Sequence, residues 1–399
     1  MKTRVLVVGG GSGGTILANS LSPGRFDVMM VTASTQHMFQ PALLYVATRN
    51  ARADITRPER RLLRRHVRLI EGRVASVDFD ERVVATADGG LHSYDEVVLA
   101  TGITTDAGQI PGLGEINERF GDYHSSVGQA QKLWRTLDGF RGGTIAVGQS
   151  TPVCKCPPSP LEGVLLIDRL LRERGVRDRT RLVFFTPYPR AYPAEPMNQI
   201  VEPVLEQRGI EVMTFFDVDR IDAGTGTIRS IEGDEIRCDL PVVIPPFVGA
   251  DIDFGSAKVL DPSRFVITDR TTLRVKGVEH AHAIGDGTNL PTSKSGVGAH
   301  LEAKVVARAL SGRPAAFAGR THCPFDTGDG RATFVTSTYQ APTVKSRPSR
   351  TKHAMKMAFA RLYWLSLKGW LDPVFDVYFR LTRPKGATAD VRSPEVPVG

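Results

Sequence analysis

Arg4-Val5-Leu6-Val7-Val8-Gly9-Gly10-Gly11-Ser12-Gly13-Gly14 decides the fold. The apolar residues read as a short strand of the parallel, fully buried type. The glycine run then places Gly9, Gly11 and Gly14 in the spacing G-x-G-x-x-G, and residues 15–21 continue as a helix. Strand, glycine turn and helix in that order predict a dinucleotide-binding turn. Glycine lets the backbone approach a pyrophosphate, and the helix N-terminus adds N–H groups and a positive dipole. An acidic residue is expected about 20 residues later to hold ribose hydroxyls. The next strand, 27–31, ends instead in Thr32-Ala33-Ser34, so hydroxyls such as that of Thr32 would do this more weakly.

Two further strand-and-turn units follow, Glu96-Val97-Val98-Leu99-Ala100-Thr101-Gly102 and His282-Ala283-Ile284-Gly285-Asp286. Between them, residues 144–241 alternate strand and helix patterns again, with strands at 181–185, 210–212 and 239–244. The first strand here, Thr144-Ile145-Ala146-Val147, runs into Gly148-Gln149-Ser150-Thr151-Pro152. A second G-x-G-x-x-G would be needed there for NAD. Only Gly148 is present, and Pro152 removes an N–H donor, so the turn is not built for NADH.

Where NAD would bind, the chain carries thiols: Val153-Cys154-Lys155-Cys156-Pro157-Pro158-Ser159-Pro160-Leu161-Glu162. Cys-Lys-Cys is too tight for a zinc knuckle, and no metal is expected. Ser159, Pro160 and Glu162 read as N-cap, N1 and N3 of a helix to about residue 174, so Glu162 is either a capping-box residue or a proton carrier. A thiol near a helix N-terminus beside Lys155 is expected to have a depressed pKa, which makes Cys156 a candidate nucleophile. Cys323, in Thr321-His322-Cys323-Pro324-Phe325-Asp326-Thr327-Gly328-Asp329-Gly330, is the candidate partner.

The three strand-and-turn motifs resemble the two-dinucleotide-binding-domain flavoproteins over almost the whole chain. Cys156-Pro157-Pro158-x-Pro160-x-Glu162, a cysteine ahead of Gly328-Asp329-Gly330, Gly285-Asp286 with Lys294-Ser295-Gly296, and Ile244-Pro245-Pro246-Phe247 are similar to sulfide:quinone oxidoreductase and the flavoprotein subunit of flavocytochrome c sulfide dehydrogenase. The resemblance implies an α/β chain of two Rossmann-like domains with a C-terminal amphipathic tail, and FAD as cofactor. Residues 1–107 with 248–322 would bind FAD, 108–247 would carry the cysteine motif, and 323–399 would cap the flavin and meet the membrane. FAD would lie against Gly9, Gly11, Gly14, Thr32, Ala100, Thr101, Gly102, Gly285 and Asp286. Lys294 would sit near flavin and quinone. Cys156 and Cys323 would be the redox pair, bridged by sulfur during turnover, with sulfide or a persulfide as donor and a membrane quinone as acceptor.

Many such enzymes carry a third cysteine after a His-Ser pair. This chain has His124-Ser125-Ser126-Val127, so either Cys154 takes that place or the chain is of a two-cysteine type. Cys238 reads as structural. Phe39-Gln40-Pro41-Ala42-Leu43-Leu44-Tyr45 also resembles type II NADH:quinone oxidoreductase, and a non-catalytic flavin-binding redox sensor is a third reading.

The chain has 399 residues, 41% hydrophobic and 24% charged, with no apolar run long enough to span a bilayer. It opens Met1-Lys2-Thr3-Arg4 and enters a strand at once, from which a peripheral place on the cytoplasmic face of the inner membrane is expected. The net charge is +8, and residues 341–399 hold five Lys and six Arg against three Asp and one Glu. Within them Met355, Ala358, Phe359, Leu362 and Leu365 share a helical face, flanked by Lys352, Lys356, Arg361 and Lys368, with Tyr363, Trp364 and Trp370 suited to an interface. This predicts a membrane-surface helix; a homo-oligomer interface is the plain alternative. A basic tail this apolar, without a recognised module, is not expected to bind nucleic acid.

Overall fold

The computed structural model describes residues 1–49, 54–313, 315–341, 343 and 346–382. β1 (Thr3–Val8) lies at the centre of a five-stranded sheet. Val5 and Val7 pack on one face of it and Leu6 and Val8 on the other, all at 3% exposure or less. Burial on both faces explains the unbroken apolar run. β2 (Phe26–Thr32) and β3 (Arg68–Glu71) extend the sheet on one side, and β4 (Glu96–Leu99) pairs with β1 on the other. Val7 stands opposite both Met30 and Val98. α1 (Ser12–Ser20) follows β1 and buries Ile16 and Leu17 beside Val5 and Val7.

The chain then builds a second parallel sheet. β5 (Gly143–Gln149) sits between β6 (Thr180–Phe185) and β8 (Leu240–Ile244), with β7 (Ile210–Met213) outside β6. β9 (Ala281–Ala283) returns to the first sheet beside β4. Each sheet is accompanied by a three-stranded antiparallel meander, Val74–Asp78, Val83–Thr86 and Leu91–Ser93 in one case, Val218–Asp222, Thr227–Ser230 and Glu235–Arg237 in the other. The same plan thus occurs twice, as expected for an α/β fold with two Rossmann-like units.

α2 (Ser159–Glu173) starts one residue earlier than a Ser159 cap would require. Pro158 occupies the N-cap, no side chain caps the helix, and Glu162 points elsewhere, so the expected capping box does not form. After α3 (Gly296–Leu310), β10 (Thr321–Asp326) and β11 (Ala332–Ser337) form a hairpin that sets Cys323 opposite Val335.

Two helices, α4 (Arg350–Leu367) and α5 (Asp372–Leu381), end the described chain. α4 is amphipathic in an inverted sense. Met355, Leu362 and Leu365 face outward, while Lys356 and Tyr363 face the body. The expected apolar face therefore exists. Lys352 and Lys356 border it in helical phase, as expected, but their charges are spent on the protein itself: Lys352 bonds Ser346 and Arg347, and Lys356, 11% exposed, pairs with Glu162. Tyr363 is buried rather than interfacial, and Trp370 is 65% exposed. Residues 383–399, with their share of the tail's charge, lie outside the described residues.

Candidate active site

The three predicted turns converge because the strands that carry them are neighbours. A Cβ on Gly9 would lie 2.3 Å from the carbonyl oxygen of Ala100, and one on Gly287 would lie 2.9 Å from Thr101 Oγ1 and 2.8 Å from the Gly102 carbonyl oxygen. A Cβ on Gly11 would meet nothing within 4 Å. The first turn is thus packed tightly behind and open in front. No side chain caps the N-terminus of α1, so its N–H groups are available to an anion. These residues fit a dinucleotide cofactor.

At the third turn, Gly285 donates its N–H to Glu302 Oε2 at 2.5 Å. Burial raises the pKa of Asp286, and raises that of Glu302 to about 7. Lys294 Nζ donates to the carbonyl oxygens of Asp286 (2.8 Å) and Thr288 (2.7 Å). These groups line one small polar pocket with Ser293. Thr32 spends its hydroxyl on the Ser34 carbonyl at 3.1 Å. Glu59 stands near that turn, where a Cβ on Gly10 would lie 3.4 Å from its Cδ, but it is fully buried and its two carboxylate oxygens are taken by Thr15 and His37.

The thiols gather next to this pocket. Cys156 N–H donates to the Lys294 carbonyl at 2.9 Å, and Ser293 Oγ lies 3.5 Å from Cys323 Sγ. The Ser293-Lys294 segment therefore stitches the two cysteine segments to the third turn. Cys156 adopts φ +57, the left-handed region, although it is not glycine and precedes proline. Its bonds to Lys294 and from Ser159 (N–H to the Cys156 carbonyl, 2.7 Å) hold that strained backbone. Strain of this kind gathers at functional positions.

Burial, followed by the charge of Cys323, pushes the Cys156 thiol well above its ordinary value. Burial likewise raises Cys323, which is only 3% exposed. The expected depressed pKa of Cys156 is therefore corrected: desolvation outweighs the helix N-terminus and Lys155. Lys155 itself is held by Gln40 and lies over the Phe247 ring at 5.8 Å.

The cation that does favour thiolate is Lys356, which lowers the pKa of both cysteines. It pairs with Glu162, whose Oε1 also accepts the Asp326 N–H at 2.5 Å. Tyr45 donates to Asp326 Oδ2 at 3.1 Å, and His353 Nε2 lies 3.4 Å from the same oxygen. Burial raises the pKa of Glu162, partly offset by Lys356. Burial would lower Lys356, but Glu162, Tyr45 and Asp326 outweigh it and keep the ammonium charged. Sequence reading missed Lys356, Asp326 and Tyr45. The available signal was helical phase: Lys352, Lys356 and Tyr363 share a face beside the apolar one.

Cys154 is 5% exposed in an apolar cluster, donates to the Lys155 carbonyl at 3.3 Å, and is pushed by burial up to about 12. Cys238 donates to the Gly226 carbonyl at 3.4 Å, away from the chamber. All four cysteines are free thiols. Two neutral thiols, one ammonium and one buried carboxyl can store two electrons as a dithiol and release them as a disulfide.

The turn after β5 is filled by the protein itself. A Cβ on Gly148 would lie 2.3 Å from the Phe185 carbonyl oxygen. Ser150 donates to the Ile244 carbonyl at 2.8 Å, and Tyr188 to the Pro152 carbonyl at 2.5 Å.

Residues 3–303 match the pyridine nucleotide-disulphide oxidoreductase family. The chain is 27% identical to the mitochondrial sulfide:quinone oxidoreductase of Mus musculus, over 93% of this chain and 88% of that one. It is 24% identical to the Dictyostelium discoideum protein of the same name, over 92% and 85%. The crystal structure of sulfide:quinone oxidoreductase from Aquifex aeolicus superposes with a TM-score of 0.83 at 20% identity, covering 98% of this chain and 99% of that one.

Proposed function

Because this chain belongs to the pyridine nucleotide-disulphide oxidoreductase family, we propose that its thiol chamber oxidises sulfide to zero-valent sulfur and delivers the electrons to a quinone. The single observation that carries this reading is the stitch at Ser293-Lys294, which links Cys156 and Cys323 to the cofactor pocket. The sulfide:quinone oxidoreductases to which the chain is similar suggest the substrate and the acceptor.

In the oxidised state Cys156 and Cys323 share a disulfide. HS⁻ attacks one sulfur, a new S–S bond forms, and the old one breaks. The displaced sulfur leaves as a thiolate with the electron pair. Lys356 offsets that charge, and Glu162 is the carboxyl placed to take up and return the proton. A second HS⁻ removes the outer sulfur of the persulfide as HSS⁻. The dithiol that remains holds two electrons, and its return to the disulfide gives them up. FAD, when bound by Gly9, Gly11, Gly14, the Ala100-Thr101-Gly102 turn, Gly285, Asp286 and Lys294, supplies the two-electron acceptor between dithiol and quinone. On this reading residues 1–107 with 248–322 form the cofactor half and 108–247 the cysteine half.

The outward face of α4 and α5 supports a peripheral membrane place. Met355, Leu362, Leu365, Trp370, Val374 and Val377 are all exposed, and Arg361 lies among them. Such a face suits the headgroup layer of an anionic bilayer, where a lipid-soluble quinone is reached, at the cytoplasmic face of the inner membrane. No described helix is long and apolar enough to cross a membrane.

The test is anaerobic. Sulfide is expected to bleach the flavin of the purified protein within seconds, and NADH at equal concentration to leave it oxidised. Bleaching by NADH alone would sink the proposal.

A further inference from the structure

Arg57-Pro58-Glu59-Arg60-Arg61-Leu62-Leu63-Arg64-Arg65-His66-Val67-Arg68 is a basic run that neither the cofactor pocket nor the thiol chamber uses. It holds six arginines against one acid. That acid, Glu59, is buried and turned toward Thr15 and His37. A single helical turn, Glu59–Leu62, opens the run, and Arg68 begins β3. Arg60, Arg61, Arg64, Arg65 and Arg68 are all exposed. The run is pinned to the end of α4. Asn19 Nδ2 donates to the carbonyl oxygens of Leu62 (2.9 Å) and Leu367 (2.8 Å), and Asn19 Oδ1 accepts the Arg64 N–H at 2.8 Å. Arg64 Nη2 donates to the Lys368 carbonyl at 3.2 Å, and the Arg57 guanidinium lies over the Trp364 ring at 5.2 Å.

Packing accounts for some of these arginines. Arg57 pairs with Asp54 at 2.6 Å. Arg60 donates to the carbonyl oxygens of Val67 (2.6 Å) and Arg64 (2.7 Å) and so holds the turn after the helix. Bonds to carbonyls leave the guanidinium charge intact. Packing does not account for Arg61 and Arg65: among the described residues neither has a hydrogen bond or an ion pair. Like charges held side by side on a fixed backbone repel one another, and an extended anionic surface relieves that repulsion. The neighbourhood says which surface. The run continues directly into the outward apolar face of α4 and α5, where Leu365 is 38%, Trp370 65% and Val374 62% exposed. Lys368 Nζ lies over the Trp370 ring at 5.3 Å, so cation and interfacial aromatic alternate along the seam. Apolar side chains beside arginines suit a bilayer of acidic lipids; a nucleic acid would leave the apolar face in water.

We propose that the arginine run 57–68 is the anion-recognising half of the docking surface: Arg61 and Arg65, with Arg60 and Arg64 beside them, seat on acidic lipid headgroups while the outward face of α4 and α5 enters the apolar layer next to them. This rests on the peripheral membrane reading above but not on sulfide as substrate. The two halves come from opposite ends of the chain, so the membrane grips the cofactor half as well as the C-terminal helices. Preference for acidic lipid then belongs to the arginines, and general affinity for a bilayer to the helices.

The experiment is flotation of the full-chain holoprotein with two kinds of vesicle, phosphatidylcholine alone and equal parts phosphatidylcholine and phosphatidylglycerol. Arg61→Gln with Arg65→Gln is expected to weaken binding to the mixed vesicles by about thirtyfold, or about fivefold per charge, and to flatten its salt dependence. Binding to phosphatidylcholine alone is expected to stay within about twofold of the parent, since that surface carries no net charge. Arg61→Lys with Arg65→Lys keeps the charge and is expected to stay within about threefold of the parent on both. Leu362→Glu is expected to weaken binding to both kinds of vesicle. A glutamine pair that floats with mixed vesicles like the parent overturns the proposal, as does an equal loss on both kinds or a lysine pair as weak as the glutamine pair. Duplex DNA bound by the parent and lost by the glutamine pair, with vesicle binding unchanged, would assign the run to nucleic acid and overturn it too. A parent that floats with neither kind sinks the peripheral membrane reading itself, whereas a parent that floats with both kinds alike sinks only the role of the arginines.

Discussion

Lys356, on the C-terminal helix, is paired with Glu162 in the first turn of α2, 194 residues away in the chain. Both side chains are nearly excluded from water, at 11% and 4% exposure. The pair sits where the thiols of Cys156 and Cys323 feel its charge. Removing the cation strands a buried carboxylate, which costs about 3–5 kcal/mol of stability unless Glu162 protonates. Lys356→Met is expected to slow anaerobic bleaching by sulfide by about 10–100-fold, and Lys356→Met with Glu162→Gln to restore stability but not rate. Urea unfolding and stopped-flow absorbance separate the two effects.

Cys156→Ser and Cys323→Ser are each expected to abolish bleaching by sulfide while FAD stays bound, since neither side chain carries the glycine turn. Cys154→Ser is expected to keep the rate within about threefold, because that thiol gives its proton to the neighbouring Lys155 carbonyl, whereas Cys156 and Cys323 are the cysteines that bond the Ser293-Lys294 segment. Loss of activity in Cys154→Ser equal to that of Cys156→Ser would place it in the redox chain.

The reduced protein offers a direct test of desolvation at the thiols. Burial raises both Cys156 and Cys323 above the ordinary thiol value. Below such a pKa the thiolate fraction rises about tenfold per pH unit. Alkylation of the dithiol by iodoacetamide is thus expected to climb without a plateau from pH 7 to 9, and to be slower at every pH in Lys356→Met. A plateau below pH 8 would show a depressed thiol after all.

Glu302 gives a pH-linked stability. Burial raises its pKa from 4.5 to about 7 in the folded chain. A raised value means the folded state favours the protonated form. Its stabilising contribution is complete below 4.5 and lost as pH rises through about 7, by roughly 3 kcal/mol at most. Glu302→Gln, which keeps an acceptor for Gly285, is expected to flatten the urea-midpoint profile over that window and to be the more stable protein at pH 8. Parallel profiles for the two proteins would contradict the assignment.

The outward apolar face is tested with vesicles. Leu362→Glu and Leu365→Glu change exposed positions and are expected to leave folding intact while weakening binding to anionic vesicles about tenfold each, more steeply at low salt. If the parent binds no vesicles but forms a dimer that either change dissociates, the face is an interface between copies.

Much of the site was legible before any coordinates. Gly9, Gly11, Gly14, Ala100-Thr101-Gly102 and Gly285-Asp286 sit on strand ends, and the resemblance to two-dinucleotide-binding-domain flavoproteins already implied that they meet one cofactor; that β4 and β9 lie in order beside β1 is what the fold added. Glu162 could not be placed, because Ser-Pro-Leu-Glu satisfies the local rules of a capping box while the tertiary fold supplies Lys356 and Asp326 as stronger partners. The pKa of Cys156 was misjudged for a related reason. Lys155 and a helix N-terminus are visible in sequence, whereas desolvation depends on everything packed around the thiol.

By itself the sequence determined the parallel-type strands, the glycine turns and the degenerate turn at Gly148, since each rests on residues within one strand–turn–helix unit. Only the tertiary structure decided which cation faces the thiols, which acid stands near Thr32, and that Tyr363 and Lys356 turn inward. Lys356 meets Glu162 across 194 positions and Tyr363 meets Ser12 across 351, and a buried charge takes whichever partner the packing brings within reach.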